Sequence, residues 1–342
     1  MMDIPRLFPI FVPVGKSKTR YRVGYIDHAG KLAIDPVFNQ GTQFSEGTAS
    51  VQAKGGRWGV IDTTGNFVIE PKLWNWCRFQ DGLAPLATKQ GKWGLIDRTG
   101  NFVLQSNYDS IGPFDSGRAL VRIGEEREAR FGYIDRAGAE IIPLAFHKAR
   151  GFSEGLAAVK VGNLWGYIRP SGAFQITPRF DGTGKAKRYP DTRAGAFTDG
   201  LAPVWAGQDH YRFIDRNGSF VIKNGFDEAN RFSEGRALIK QGSRFGFIDK
   251  DGRTVIQCRF PFARDFSEGL AKVEVEESRH GFSPRTGFID REGDLAIPPQ
   301  FFSAESFVNG LSLVSTDDSI GYVNKSGEFV WKGPFVDYGV LF

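Results

Sequence analysis

A serine flanked by glycines is the first feature of this chain that could do chemistry. The segment from Gly151 to Gly155 reads GFSEG, which has the spacing of the hydrolase nucleophile elbow, where a strand-to-helix turn exposes a reactive serine. The position of this serine is occupied elsewhere in the chain by Gln80, Asp115, Thr198 and Val308. The flanking residues also predict strand–turn–strand. We therefore interpret the segment as a turn and predict no catalytic serine.

Aspartates recur at the end of a repeated apolar segment, and a row of carboxylates could bind a metal or act as an acid–base pair. An aspartate in the first position of a type I turn accepts hydrogen bonds from nearby N–H groups, and a following glycine takes the left-handed conformation. Turn capping therefore explains these aspartates without a metal, and we interpret the recurring glutamates in the same structural way. The residues concerned are Asp27, Asp62, Asp97, Asp135, Asp215, Asp249 and Asp290, with Glu46, Glu154, Glu234 and Glu268.

Histidine and cysteine form no recognisable site. The histidines His28, His147, His210 and His280 share no spacing that predicts a zinc site or a catalytic triad. Two cysteines in 342 residues make no disulfide framework. Cys77 has no sequence neighbour that would activate it, so we predict an inert thiol. The sequence predicts no catalytic residue, no metal and no cofactor, and hence a protein that is not an enzyme.

The composition indicates a globular, strand-rich protein. Hydrophobic residues make up 41% and charged residues 24% of the chain, which has 31 Phe, 43 Gly and 2 Met. The net charge of +5 comes from 44 basic and 39 acidic residues spread along the chain, without the run of like charges that marks a nucleic-acid-binding arm. The N-terminal residues do not resemble a signal peptide, and no apolar stretch is long enough to span a membrane. We expect a cytoplasmic protein with no membrane association.

Two short elements alternate along nearly the whole chain. An aromatic-Gly-x-Ile-Asp element occurs nine times, beginning at Val23, Trp58, Trp93, Phe131, Trp165, Tyr211, Phe245, Thr286 and Ile320. A Phe-x-x-Gly element precedes it eight times, at Phe44, Phe79, Phe114, Phe152, Phe197, Phe232, Phe266 and Phe307. The first repeat lacks the Phe-x-x-Gly element. Residues 1–342 are thus one array of nine repeats, beginning near residues 7, 44, 79, 114, 152, 197, 232, 266 and 307.

Each repeat predicts a three-stranded antiparallel meander. After the Phe-x-x-Gly turn, alanine and an aliphatic residue two positions apart mark one face of a strand, and the small alanine implies close packing. The second strand carries a glycine over which an aromatic ring could lie. The Asp-x-x-Gly turn leads to the third strand, which proline often ends, and the Phe-x-x-Gly segment could add a short fourth strand. These prolines are Pro36, Pro71, Pro143 and Pro298.

The repeated motif resembles that of the WG (or KWG) repeat family over roughly residues 7 to 335. The likeness is carried by segments such as FSEGLAAVKVGNLWGYI from Phe152. The repeats have drifted, because only Trp58, Trp93 and Trp165 keep the tryptophan and Arg212 replaces the glycine. The resemblance implies a β-propeller-like binding scaffold and supplies no catalytic residues. We predict an all-β fold of nine tandem meanders in a propeller-like ring, with an open β-superhelix as the alternative.

Residues that interrupt the repeat are the candidates for binding, since insertions in repeat proteins often lie on the binding face. The insertion from Asp181 to Ala196 carries Lys185, Lys187, Arg188, Tyr189 and Arg193, and the one from Glu276 to Arg285 carries Arg279 and His280. Tryptophans without a repeat counterpart are Trp74, Trp76 and Trp205, and tryptophan is enriched at interface hot spots. The alternative interpretation is that these residues form solvated loops or fill gaps.

The leading functional hypothesis is a non-enzymatic scaffold for protein–protein interaction. The family context suggests an immunity or effector-accessory protein as one use of such a scaffold. The alternatives are a nucleic-acid-binding protein, which the net basic charge and exposed aromatics permit, and a carbohydrate-binding module. The sequence makes no prediction of the oligomeric state.

Overall fold

The short strand-forming segments fold as the repeat predicts. The computed structural model describes residues 6–15, 20–125, 128–181, 194–207, 210–276 and 284–335. Regular structure in these ranges consists of 33 strands in nine antiparallel sheets, and no helix occurs in them. The all-β prediction is confirmed. The chain divides into two compact units, residues 1–107 with 300–342 and residues 108–299.

The sheets are numbered 1 to 9 along the chain. Sheet 1 contains β1 (Phe8–Pro13), β2 (Tyr21–Ile26) and β3 (Leu32–Phe38). Sheet 2 contains β4 (Gln40–Gly41), β5 (Thr48–Gln52), β6 (Trp58–Asp62) and β7 (Phe67–Leu73). Sheet 3 contains β8 (Leu83–Ala87), β9 (Trp93–Asp97) and β10 (Phe102–Tyr108). Sheet 4 contains β11 (Ser110–Asp115), β12 (Arg118–Ile123), β13 (Arg130–Ile134) and β14 (Glu140–Phe146).

The remaining sheets repeat this pattern. Sheet 5 contains β15 (Lys148–Ala149), β16 (Ala157–Val161), β17 (Leu164–Ile168) and β18 (Phe174–Asp181). Sheet 6 contains β19 (Ala202–Trp205), β20 (Tyr211–Ile214) and β21 (Phe220–Phe226). Sheet 7 contains β22 (Glu228–Ser233), β23 (Arg236–Gln241), β24 (Arg244–Ile248) and β25 (Thr254–Phe260). Sheet 8 contains β26 (Phe262–Ala263), β27 (Ala271–Val275), β28 (Arg285–Ile289) and β29 (Leu295–Phe301). Sheet 9 contains β30 (Ser303–Ala304), β31 (Ser312–Ser315), β32 (Ser319–Val323) and β33 (Phe329–Pro334).

Six sheets have an additional strand before the meander. It includes the phenylalanine of the Phe-x-x-Gly segment, as predicted, at Phe114 of β11 and Phe232 of β22, whereas in the other four sheets it ends before that phenylalanine. It lies at the sheet edge, and the Phe-x-x-Gly turn joins it to the next strand. In this turn the third and fourth residues both have positive φ, 50° at Glu46 and 76° at Gly47, as a type I′ turn requires. Ser45 and Thr48 exchange two backbone hydrogen bonds across it, of 2.8 and 3.0 Å. Glu154 has φ 51° in the same turn, so the turn interpretation of the GFSEG segment is confirmed.

The prolines of the third strand do not end it, and that prediction is wrong. β3 continues past Pro36 to Phe38, and β7, β14 and β29 likewise continue past their prolines. Val23 pairs with Phe38 while Tyr25 pairs with Ile34, so the third strand has extra residues opposite the glycine of the second. Proline is tolerated in such a bulge because the ladder hydrogen bond is already interrupted there.

The glycine in the aromatic-Gly-x-Ile-Asp strand allows this bulge to approach closely. A Cβ built on Gly166 would lie 2.6 Å from the carbonyl oxygen of Ile176 and 2.7 Å from the nitrogen of Pro178. The predicted aromatic ring lies over the glycine at Gly59, Gly94 and Gly321, while at Gly166 the nearest atoms belong to the backbone. In the repeats that keep it, the motif glycine therefore allows the third strand to approach closely, whereas repeat 6 forms its sheet with Arg212 at this position.

Neighbouring repeats share their core. The alanine in the strand that follows the Phe-x-x-Gly turn is fully buried, as predicted, with Ala84 and Ala202 both at 0% exposure. In unit 2, the buried Tyr167 packs its ring 4.9 Å from Phe197 of the next repeat and donates a hydrogen bond of 2.9 Å to the carbonyl of Gly195. Tyr25 in unit 1 makes the same contacts with Phe44 and Thr42. Each repeat thus completes the core of its neighbour.

Sheets 1 and 9, the first and the last, pack directly on each other within unit 1. The Tyr322 hydroxyl donates a hydrogen bond of 2.9 Å to the carbonyl of Pro9, and its ring lies 5.4 Å from Phe8. Phe8 pairs with Ile26 as Ala49 pairs with Ile61, so a phenylalanine stands where repeats 2 to 8 have alanine and repeat 9 has Ser312. An open superhelix would leave its first and last sheets apart. The prediction of a β-propeller is confirmed.

Candidate functional site

The structure describes three of the ten residues predicted to bind a partner. The others, Lys185, Lys187, Arg188, Tyr189, Arg193, Arg279 and His280, lie outside the described residues. Trp205 is only 4% exposed and packs edge-to-face on Tyr211 at 5.0 Å, so the prediction that it contacts a partner is wrong. Trp74 and Trp76 are 47% and 56% exposed. These two tryptophans remain candidates.

Trp74 and Trp76 lie in the loop that follows β7, and two cations from other loops contact the ring of Trp74. The guanidinium carbon of Arg57 lies 3.1 Å from the ring centroid of Trp74, and the Lys89 nitrogen lies 5.1 Å from it. We call Arg57, Trp74, Trp76 and Lys89 the tryptophan surface. A cation over an indole face is an attractive arrangement that also orients the ring. The surface therefore combines exposed aromatic area with positive charge.

The loop that carries the two tryptophans is anchored by Cys77. The Ser50 hydroxyl donates to the Cys77 carbonyl at 2.6 Å, and the Cys77 amide donates to the Ser50 hydroxyl at 3.0 Å. Burial raises the pKa of the Cys77 thiol to about 11, so the thiol is neutral at physiological pH. This agrees with the prediction of a buried, inert cysteine. The anchor fixes the backbone beneath Trp74 and Trp76.

The repeated aspartates cap their turns, as predicted. The Asp62 carboxylate accepts hydrogen bonds from the amides of Thr64 at 2.8 Å and Asn66 at 3.1 Å, and Asp215 does the same with Asn217 and Ser219.

Among the described residues no group of three or more His, Cys, Asp and Glu side chains could hold a metal ion. No helix capable of spanning a membrane occurs in them.

The glutamates of the Phe-x-x-Gly turns have a role that the sequence did not reveal. The Glu46 carboxylate accepts hydrogen bonds from the amides of Asp81 at 2.5 Å and Gly82 at 3.2 Å, which belong to the corresponding turn of the next repeat. Arg98 of that repeat also binds the Glu46 carboxylate, at 2.7 Å. We call this arrangement the turn-to-turn contact. It joins neighbouring repeats through an acid, two amides and a cation.

The turn-to-turn contact recurs within unit 2. Glu234 accepts from the amides of Glu268 at 2.6 Å and Gly269 at 2.9 Å, with Arg291 at 3.0 Å. Glu154 and Asp199 each accept from the turn glycine of the following repeat, with Arg216 at 3.8 Å and Lys250 at 3.6 Å as their cations. The cation always directly follows the capping aspartate. That recurrence is the sequence signal that could have revealed the contact.

The turn-to-turn contact of Glu234 should stabilise the fold at neutral pH and lose this effect in acid. Burial raises the pKa of Glu234, but the hydrogen bonds from Arg291 and from the two amides outweigh it, so the net pKa lies below the usual 4.5. A carboxylate with a lowered folded pKa stabilises the protein above its unfolded pKa, and this contribution is lost as the pH falls further. We expect Glu234→Gln to lower the melting temperature at pH 7 and to have little effect at pH 3.

The measurement is a set of thermal unfolding curves between pH 7 and pH 3, with Glu292→Gln as the control. Glu292 is exposed and lies outside every turn-to-turn contact. Equal pH dependence of wild-type protein and Glu234→Gln would show that the contact does not stabilise the fold.

Unit 1 has a cavity beside a turn for which the described residues show no turn-to-turn contact. The sequence of repeat 1 lacks the Phe-x-x-Gly element that would place an acid before the turn at Glu46 and Gly47. A cavity of about 270 Å³ lies there, lined by both residues together with Arg6, Arg78 and Asn309 of the last repeat. The amides of Glu46 and Gly47 make no hydrogen bond in the described part of the chain. We call this the turn cavity.

Comparison with known sequences identifies the repeat. The family model described as "WG containing repeat" matches residues 24–58, 58–87, 93–126, 131–165, 211–244, 245–277 and 287–318, together more than half of the chain. No curated protein sequence is significantly similar to the chain.

Comparison with solved structures returns remote likenesses. BamB from Moraxella catarrhalis is 11% identical with a TM-score of 0.37, over 94% of this chain and 96% of that one. The quinohemoprotein alcohol dehydrogenase ADHIIG from Pseudomonas putida HK5 is 11% identical with a TM-score of 0.41, over 85% of this chain and 65% of that one. PorZ from Porphyromonas gingivalis is 11% identical with a TM-score of 0.33, over 97% of this chain and 51% of that one. At such scores the likenesses carry no information on function.

Proposed function

The chain belongs to the WG-repeat family, and from this premise we propose that it is a non-enzymatic scaffold that binds a protein partner through its tryptophan surface. The observation that carries this proposal is the exposure of Trp74 and Trp76, two large aromatic side chains on one anchored loop. Leaving so much indole area in water is unfavourable, and a protein partner would cover it.

The charges of the tryptophan surface define the kind of partner. Arg57 and Lys89 lie over the exposed indole of Trp74, so the complementary surface combines apolar and acidic side chains. Such pairing steers encounter and selects against basic partners. Because the loop is held by the hydrogen bonds between Ser50 and Cys77, little conformational entropy would be lost on binding.

The double variant Trp74→Ala/Trp76→Ala is expected to bind the partner at least about tenfold more weakly and to keep the wild-type melting temperature, because both side chains are exposed. The partner is first captured from the lysate of the native host and identified by mass spectrometry. Its affinity for wild-type protein and variant is then measured by calorimetry. Phe302→Ala is the matched control, since Phe302 is as exposed as Trp76, at 56%, and lies in another repeat, between β29 and β30.

The capture also tests the other functions. Undiminished binding by the tryptophan variant would overturn the proposed surface. Capture of nuclease-sensitive material alone, lost steeply with added salt, would favour nucleic-acid binding through phosphate contacts, and retention on a glycan array would favour a carbohydrate-binding module. An immunity or effector-accessory role is one use of such a scaffold, and the identity of the partner decides it. We propose the cytoplasm as the compartment, from the sequence composition alone.

A further inference from the structure

We infer that the turn cavity is a second binding site, which takes an acidic side chain presented at a turn by the protein partner. This inference deepens the proposed function and rests on it. It starts from a break in the repetition. Within unit 1, the amides of Asp81 and Gly82 receive the carboxylate of Glu46 from the preceding repeat. The amides of Glu46 and Gly47 occupy the same place one repeat earlier and receive no carboxylate among the described residues.

The chain itself shows what such a pair of amides binds. The Glu234 carboxylate accepts hydrogen bonds from the amides of Glu268 and Gly269 at 2.6 and 2.9 Å. The turn that carries these amides is of the same type as the turn at Glu46, because φ is 55° at Glu268 and 50° at Glu46. Adjacent backbone amides held by a rigid turn form an anion-binding concavity. The turn at Glu46 and Gly47 is therefore shaped for a carboxylate in advance of any ligand.

Charge around the turn cavity also favours an anion. Arg6 and Arg78 both line it. Glu46 lines it too, but its carboxylate is held by the next turn and paired with Arg98. Among the described residues neither Arg6 nor Arg78 has an acidic partner, so two guanidinium groups face one carboxylate that is already paired. A carboxylate that enters would make charge-assisted hydrogen bonds, which are roughly twice as strong as neutral ones.

The size and apolar lining of the turn cavity favour a side chain on a peptide. Its volume of about 270 Å³ is below the roughly 300–1,000 Å³ of cavities that hold drug-sized ligands and cofactors. Phe8 lines it and already fills the space that the absent turn's phenylalanine would take. What the sequence of repeat 1 lacks is thus the Phe-x-x-Gly motif and its acid. A partner that presents an acidic side chain at a turn would supply both.

The test uses a cyclic hairpin peptide with Phe-Ser-Glu-Gly at its turn, which is the motif of this chain at Phe44. Fluorescence anisotropy of the labelled peptide is measured with wild-type protein. We expect the glutamate peptide to bind at least tenfold more tightly than its Phe-Ser-Gln-Gly counterpart. In amide NMR spectra, the signals of Glu46 and Gly47 should shift with the glutamate peptide alone. Because this comparison needs only wild-type protein, it does not depend on whether a variant folds.

A pair of variants tests the cations. Arg6→Gln/Arg78→Gln is expected to weaken binding of the glutamate peptide at least tenfold. Lys31→Gln/Lys54→Gln removes the same charge from exposed positions of unit 1 outside the cavity lining and should change binding less than twofold. Equal losses in the two variants would show general electrostatic attraction and overturn the site.

Two further arms identify the source of the carboxylate. Glutarate that binds as tightly as the hairpin peptide would overturn the protein source in favour of a free small carboxylate. If the Asp3→Asn variant bound the peptide more tightly than wild-type protein, an acid of the same chain would compete for the cavity. That result would overturn the proposal that the carboxylate comes from a partner. The peptide assay requires no partner, so its failure would leave partner capture by the tryptophan surface standing.

Discussion

Replacing Gly166 with alanine is expected to lower the free energy of unfolding by about 3 kcal/mol, the upper part of the usual range for overpacking a well-packed site. The added methyl carbon would lie 2.6 Å from the carbonyl oxygen of Ile176 and 2.7 Å from the nitrogen of Pro178. These atoms are backbone, so no side chain can rotate away. Relief of this clash would require the proline bulge of β18 to move. Such a movement is costly because β18 packs into the core that repeats 5 and 6 share.

Gly151→Ala is the matched control in the same repeat. Gly151 is exposed, and a Cβ built on it would meet no atom within 4 Å. We expect its free energy of unfolding to stay within about 0.5 kcal/mol of the wild-type value. Both variants are compared by chemical denaturation followed by tryptophan fluorescence. Equal stability of the two variants would show that the motif glycine is not required for close approach.

Phe8→Ala is expected to cost about 3–5 kcal/mol, as truncation of a buried phenylalanine does. The substitution restores the alanine that other repeats have at this position, so a consensus argument would predict a harmless change. The structure predicts the opposite, because Phe8 is 5% exposed and its ring contacts Tyr322 at 5.4 Å and His28 at 6.2 Å. Repeat 1 has no Phe-x-x-Gly element whose phenylalanine could fill that space.

The control for Phe8→Ala is Phe302→Ala, which removes the same atoms from a side chain that is 56% exposed. Denaturant midpoints of both variants are measured against wild-type protein. A loss below about 1 kcal/mol for Phe8→Ala would mean that sheets 1 and 9 do not depend on each other. A loss shared by Phe302→Ala would point to a general effect of removing aromatic rings.

The repeat unit could be predicted from the sequence because its signals are local. Asp62 and Gly65 lie within one turn, and the alternation of Ala84 and Leu86 lies within one strand. The continuation of the third strand past its prolines could not be predicted from such local signals. Pro36 would interrupt a regular ladder, but the bulge opposite Gly24 had already interrupted it, and a bulge requires two strands to be aligned before it can be recognised.

The candidate site could be predicted only in part because exposure and long-range contacts are tertiary properties. Trp74 and Trp205 are equally foreign to the repeat, yet Trp205 pairs across the strands with Tyr211 and is buried. The carboxylate of Glu46 bonds to residues 35 and 36 positions further along the chain. The absence of the Phe-x-x-Gly motif from repeat 1 is visible in the sequence, whereas the turn cavity depends on how Phe8 packs beside it.

Among the described residues each sheet consists of one continuous stretch of chain, and none of these sheets combines strands from the two ends. Contacts between successive repeats are therefore short in sequence: Tyr25 bonds to Thr42 over 17 residues and Ser45 to Phe79 over 34. The bond from Tyr322 to Pro9 spans 313. Loop-closure entropy grows with such separation, and low contact order favours fast folding. The sheets can consequently form in the order of their synthesis, and the large entropic cost falls on one late contact, between the first sheet made and the last.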